Sequence, residues 1–185
     1  MVEKRNDGNT AAKDQARTPK QIFDALDKEF HFDIDVAADE NNTLCTSFFA
    51  LHNPVVDNPM QLTKLPLAID ALNQDWTNWT RVGAKTFFCN PPYSNGNIIK
   101  FVHKAWLESG NGATVVLLIP SDPSTEYFEF CFENASEIRF MHPRVKFNNP
   151  DGTPMKGSPT TGSMIIVFRP NDDGPAKISM WRWKE

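Results

Sequence analysis

The run Ala113-Thr114-Val115-Val116-Leu117-Leu118-Ile119 constrains the fold of this chain more than any other segment. It is far shorter than the roughly 20 apolar residues of a membrane helix, and too continuous for a strand with one wet face. It predicts a strand buried on both sides, and such a strand needs helices above and below it. The neighbouring sequence supplies them. Ahead of the run, Ile98, Phe101, Val102, Ala105 and Trp106 recur at helical spacing, and Gly110 fits the end of that helix. Behind it, the pattern predicts a helix from Thr125 to Glu133, a strand near Glu137 to Met141, a second short strand near Val145, a polar loop, and a strand from Ser163 to Phe168. Thr86-Phe87-Phe88-Cys89 reads as another buried strand, and Phe32-Asp33-Ile34-Asp35-Val36 as a short one. Helices alternating with apolar strands give an α/β fold with a largely parallel sheet and helices on both faces. The last two strands are joined by a loop without a helix, so they are expected to pair antiparallel.

The 185 residues suit one domain. Met1 to Arg17 is polar and aperiodic and reads as a mobile tail. Order is expected from Thr18, which can cap a helix that has Pro19 in its first turn and Gln21 to complete a capping box. Ile22, Phe23, Leu26 and Phe30 then form its apolar stripe. The organisation expected overall is a tail over 1–17, a single domain over 18–170 with a Pro-containing insertion near 52–67, and a C-terminal extension over 171–185. With 40% hydrophobic residues, 14 Phe and 5 Trp, the chain has ample core material. It has neither a membrane-length apolar run nor an apolar stretch in MVEKRNDGNT, so a soluble, cytoplasmic protein without a membrane partner is expected. Cys45, Cys89 and Cys131 are widely spaced, as are His31, His52, His103 and His142, and no metal site is expected. A net charge of −4 means that any contact with nucleic acid needs clustered positive charge.

The chemistry is concentrated in Asn90-Pro91-Pro92-Tyr93, at the C-terminal end of a predicted strand, where open α/β sheets bind ligands. Two prolines make a rigid turn, but a turn alone asks for neither the amide before them nor the aromatic ring after them. The Asn90 side-chain oxygen and the Pro91 carbonyl are two acceptors that can converge on one NH₂ group, and Tyr93 offers a face for the flat ring that carries it. Such a site suits alkylation of an exocyclic amine.

Asn-Pro-Pro-Tyr after an apolar strand resembles motif IV of the S-adenosylmethionine-dependent amino-methyltransferases. The stretch from Thr18 to Pro170 is similar to the phage-type DNA N6-adenine methyltransferases, the phage Dam family. The matching pieces are Thr18-Pro19, Phe32 to Ala38, Asp75-Trp76, Asn90 to Ser94 and Leu117-Leu118-Ile119-Pro120, in that order. The resemblance implies a Rossmann-like methyltransferase sheet, S-adenosylmethionine as donor and adenine in DNA as acceptor. It implies that Asn90, Pro91, Pro92 and Tyr93 form the catalytic turn, Asn90 also touching the donor. It places Thr18, Pro19, Asp35 and Ala37 by the methionine end of the donor, and Asp75 and Trp76 by its adenosine.

The chain departs from the wider methyltransferase pattern after its first strand, where Ala37-Ala38-Asp39-Glu40-Asn41 replaces a Gly-rich turn. Asp39 and Glu40 are the candidates for the donor ribose. Arg139, Arg144, Lys146, Lys156 and Arg169 gather positive charge in the last third of an acidic chain. Arg144, Lys146 and Lys156, with Asn97 after the catalytic turn, are the candidate DNA contacts. The same tetrapeptide also suits other planar amines: guanine N2 in RNA, cytosine N4 in DNA and glutamine in proteins. A catalytically decayed nucleic-acid-binding protein on the same fold is the alternative of another class.

Overall fold

The computed structural model describes residues 14, 16–51, 64–79, 85–94, 96–156, 160–172 and 174–184. Most of the predicted tail and most of the 52–67 insertion lie outside the described residues. The chain enters through α1 (Lys20–Phe30) and β1 (Ile34–Ala38), followed by β2 (Ser47–Ala50) and β3 (Ala68–Ile69). Two short helical turns, Ala71–Asn73 and Trp76–Asn78, lead towards β4 (Thr86–Cys89). Then come α2 (Asn97–Gly110), β5 (Thr114–Pro120), α3 (Glu126–Asn134), β6 (Glu137–His142), β7 (Ser163–Phe168) and β8 (Lys177–Arg182).

The strands form one sheet in the order β3-β2-β1-β4-β5-β7-β6-β8. All pairs from β3 across to β5 are parallel. β7 lies antiparallel between β5 and β6, as the helix-free connection predicts, and β8 runs parallel to β6 at the edge. β5 sits in the middle, and its side chains alternate between two cores. Val115, Leu117 and Ile119 face a core shared with Ile98, Phe101, Val102 and Ala105 of α2 and Cys131 of α3. Val116 and Leu118 face the opposite core, where α1 contributes Ile22, Phe23, Leu26 and Phe30. A strand covered on both faces needs no polar alternation, which is why this run reads as continuously apolar.

Several boundaries differ from expectation for identifiable reasons. β1 begins two residues late because Asp33 is used as a joint: its carboxylate accepts from the Lys85 and Thr86 amides at 2.8 and 3.0 Å. The capping box at Thr18 does not form. Pro19 occupies the cap position of α1, with no side-chain capping bond, while Thr18 is buried in the neighbouring cleft. No strand forms at Val145. Val145 and Phe147 do turn into the α1-side core, but the segment's backbone pairing falls at Asn148, as isolated bridges to Arg17 and Pro154. The C-terminal extension contributes β8, with Trp181 and Trp183 packed on the α1-side core.

Trp76 is fully buried, its indole N–H donates to the Ala71 carbonyl at 2.7 Å, and its ring meets Phe87 at 5.6 Å between centroids. Trp76→Phe removes both that bond and part of the ring, and is expected to lower stability by about 1–3 kcal/mol. Urea or guanidinium midpoints measure the loss.

Candidate active site

In this sheet the chain winds outward through β2 and β3 on one side of β1 and through β4 and β5 on the other. The crevice of such a sheet opens beyond the carboxyl ends of the strands where that order reverses, between β1 and β4. Asp35 of β1 lies level with Phe88 of β4 in the parallel register. Ile34 and Val36 face the α2-side core, so Asp35 is directed to the other face, and Asn90 continues the alternation of Phe88 onto that same face. The two polar side chains therefore line one cleft, together with Asp14, Arg17, Thr18, Ala37, Asn42 and Pro92.

Asn90 follows β4 directly, and the two prolines stop the ladder there. Pro91 is buried, and Asn90, Pro92 and Tyr93 are partly exposed. The Tyr93 hydroxyl donates to Asn90 Oδ1 at 3.1 Å, which fixes the oxygen end of the amide across the turn. The Tyr93 ring meets Phe147 edge-on at 6.4 Å. Burial raises the Tyr93 phenol further above its ordinary value, so it stays a neutral donor. From this turn the chain passes through Gly96, at a left-handed φ of 67°, into α2. Asn97 opens that helix, half-buried, with its amide donating to the Ser94 carbonyl at 3.0 Å.

Asp35 is the unusual charge. It is 4% exposed, and the hydrogen bonds it accepts, from the amides of Ala37 at 3.3 Å and Leu44 at 3.5 Å, are long. Burial pushes its carboxyl up to about 7, against the pull of those two amides and with a small added push from Asp39. A buried carboxylate on a cleft wall with such weak partners is suited to a cationic ligand group.

The other sequence candidates fall at different places. Asp75 is exposed and accepts from Thr77 Oγ1 at 3.0 Å and Asn78 Nδ2 at 2.6 Å, while Trp76 is in the core, and neither lines the cleft. Pro19 also lies outside the lining. Asp39 closes the turn after β1, accepting from the amides of Asn41 and Asn42 at 2.7 and 3.0 Å and from Asn42 Nδ2 at 2.9 Å. Glu40 is beside it and accepts from Asn41 Nδ2 at 3.3 Å. Arg144, Lys146 and Lys156 are exposed, on a segment that reaches the Asn90–Tyr93 turn through Phe147. Arg139 and Arg169 belong to a different structure. Arg139 makes two bonds of 2.7 Å to Glu29 and one of 2.8 Å to Glu137, and Arg169 pairs with Glu137 at 2.5 Å. Their charge is largely neutralised by those partners. Asp14 and Arg17, read as tail in the sequence, stand on the cleft wall.

The chain matches, over residues 6–183, the family model described as DNA N-6-adenine-methyltransferase (Dam). It belongs to that family. Among Dam-family relatives, the DNA N-6-adenine-methyltransferase of Haemophilus phage HP1 is 30% identical over 162 residues, covering 85% of this chain and 80% of the relative. The protein of the same description from Escherichia phage T1 is 28% identical over 129 residues, covering 69% of this chain and 44% of that longer relative. A solved structure from Listeria monocytogenes, described as a class I S-adenosylmethionine-dependent methyltransferase, aligns with a TM-score of 0.51 at 11% identity. That alignment covers 93% of this chain and 68% of the other, and it supports the fold. Among the described residues of this Dam-family chain, no group of three or more His, Cys, Asp or Glu could hold a metal ion, and no helix is long and apolar enough to cross a membrane.

Proposed function

We infer that this protein transfers a methyl group from S-adenosylmethionine to the N6 amine of adenine in DNA. The observation that carries the reading is the meeting, at the switch point of the sheet, of the Asn90–Tyr93 turn with the buried Asp35 carboxylate. S-adenosylmethionine supplies, when bound, a methyl group on a positively charged sulfur and a cationic amino group at its methionine end. Asp35, with Thr18 and Ala37 beside it, offers that end a buried negative partner. On family resemblance Asp75, which is exposed, belongs towards the adenosine end, whereas Trp76 is fully buried and can only support it from the core.

On the acceptor side, the target base leaves the duplex, at a cost of a few kcal/mol, and stacks on Tyr93. Asn90 Oδ1 and the Pro91 carbonyl accept the two N6 hydrogens. Holding both hydrogens draws the nitrogen lone pair out of the ring and aims it at the methyl carbon. With the donor bound, the N–C bond would form as the S–C bond breaks with its electron pair left on sulfur, and the surplus proton on nitrogen would then leave to water. No strong base is required. The prolines hold both acceptors in place before the base arrives, so little reorganisation is needed at the moment of transfer.

The exposed Arg144, Lys146 and Lys156 follow the phosphates beside the turn, and Asn97 faces the strand from which the base came. The reading puts the reaction in the cytoplasm, that of the host for a phage-encoded protein, and the phage origin of the two relatives supports it. Joint replacement of Lys146 and Lys156 by Ala is expected to weaken binding about equally on all sequences. It should also reduce the slope of log K against log salt by about 2. Fluorescence titrations at several salt concentrations measure both. The function itself is tested by offering labelled S-adenosylmethionine with duplex DNA, RNA or protein. The expected result is label in DNA alone; label in RNA or protein keeps the chemistry and overturns the substrate. No transfer together with no donor binding supports a decayed binding protein.

A further inference from the structure

The acceptor turn has a second support that neither its own sequence nor the sheet provides. Its two prolines carry no N–H, so the first backbone donors after them are those of Tyr93 and Ser94. Both donate to one oxygen of Asp14, at 2.9 and 3.0 Å, across 79 and 80 residues of sequence. The segment carrying Asp14 is itself anchored. Arg17 exchanges two backbone bonds with Asn148, at 2.9 and 3.0 Å, and its guanidinium donates to the Asn41 carbonyl at 3.0 Å. Asp14, Arg17 and Thr18 therefore stand between the acceptor turn, the basic segment and the turn after β1, all on the wall of one cleft.

We propose that Asp14 is a positioning residue for methyl transfer, holding the Tyr93 and Ser94 amides so that the Asn90 and Pro91 acceptors keep their direction. The proposal rests on the reading of Asn90–Tyr93 as the amine-binding turn. Hydrogen bonds to a carboxylate are about twice as strong as those between neutral groups, and two on one oxygen fix both the position and the rotation of the turn. In this role Asp14 acts through the turn rather than on a reactant. Its effect appears in the geometry of transfer, where a displacement of about 1 Å can cost on the order of 10²-fold in rate.

The test uses the full chain with Asp14→Ala, Asp14→Asn and, as a reference, Asn90→Ala, measuring kcat, KM for DNA, donor affinity and melting temperature for each. Asp14→Ala is expected to lower kcat about 10- to 100-fold, with donor affinity and KM for DNA within about threefold of wild type. Asp14→Asn retains an oxygen that can accept from both amides and is expected to restore most of the turnover. Wild-type kcat in Asp14→Ala overturns the proposal. A loss that appears in melting temperature and in all binding constants alike, or one that Asn does not relieve, also overturns it, since either marks a merely structural contact. Full turnover in Asn90→Ala instead overturns the underlying reading of the turn, whatever Asp14 does.

Discussion

Asn90→Ala is expected to lower kcat on the order of 10³-fold or more while leaving the fold and donor affinity close to wild type. The side chain is half-exposed at the end of β4, outside both large cores, so its truncation removes no packed volume. On the proposed reading it removes the acceptor for one N6 hydrogen, and it leaves the Tyr93 hydroxyl without the partner it has at 3.1 Å. The loss should be confined to kcat because the interaction matters most as the nitrogen changes shape during transfer. Tyr93→Phe is the informative companion. It preserves the stacking face and removes only the hydroxyl that orients the amide, so its loss should be far smaller. Single-turnover rates with donor and DNA both saturating separate the two effects.

The second large effect concerns Asp35. Its carboxyl is pushed up to about 7, mainly by burial, whereas an unfolded aspartate titrates near 3.9. Between roughly pH 4 and 7 the folded protein therefore holds a proton that the unfolded chain has released. This stabilising contribution is complete below about pH 4, declines as the pH rises and is gone above about 7. With Asp35 as the partner of the donor's cationic group, as proposed, donor binding has the opposite dependence, because that group needs the ionised form. Affinity for S-adenosylmethionine should rise about tenfold per pH unit up to roughly 7 and then level off. The other charged groups at the cleft are Asp14, Arg17 and, in the turn after β1, Asp39. Asp35→Asn should remove most of the pH dependence, weaken donor binding by on the order of 10²-fold and raise the melting temperature at pH 8. Calorimetric titrations from pH 5.5 to 8.5, alongside thermal melts, check all three.

What the sequence made legible is what depends on near neighbours. The β5 run and the apolar spacing of α2 report burial by residues within one element, and the Asn90–Tyr93 turn is contiguous. β8 was missed because Lys177 to Arg182 is an edge strand, largely exposed, without the apolar run that marks β5. The pairing of Arg139 and Arg169 was not legible for a related reason: Glu29, which neutralises Arg139, is 110 residues away. Asp14 likewise gains meaning only when the fold brings its carboxylate to Tyr93. The Ala37-Ala38 turn, without glycine, is now explained in part by Asp39, whose carboxylate gathers the following amides. The resemblance to the phage Dam family carried the choice of adenine and DNA, which no single distance in the cleft specifies.

The central claim is tested most directly by incubating unmethylated duplex DNA with S-adenosylmethionine and either the wild-type protein or Asn90→Ala, then analysing the nucleosides by mass spectrometry. N6-methyladenine from the wild type, and almost none from the variant, is the predicted result. N4-methylcytosine, or equal N6-methyladenine from both proteins, would contradict it.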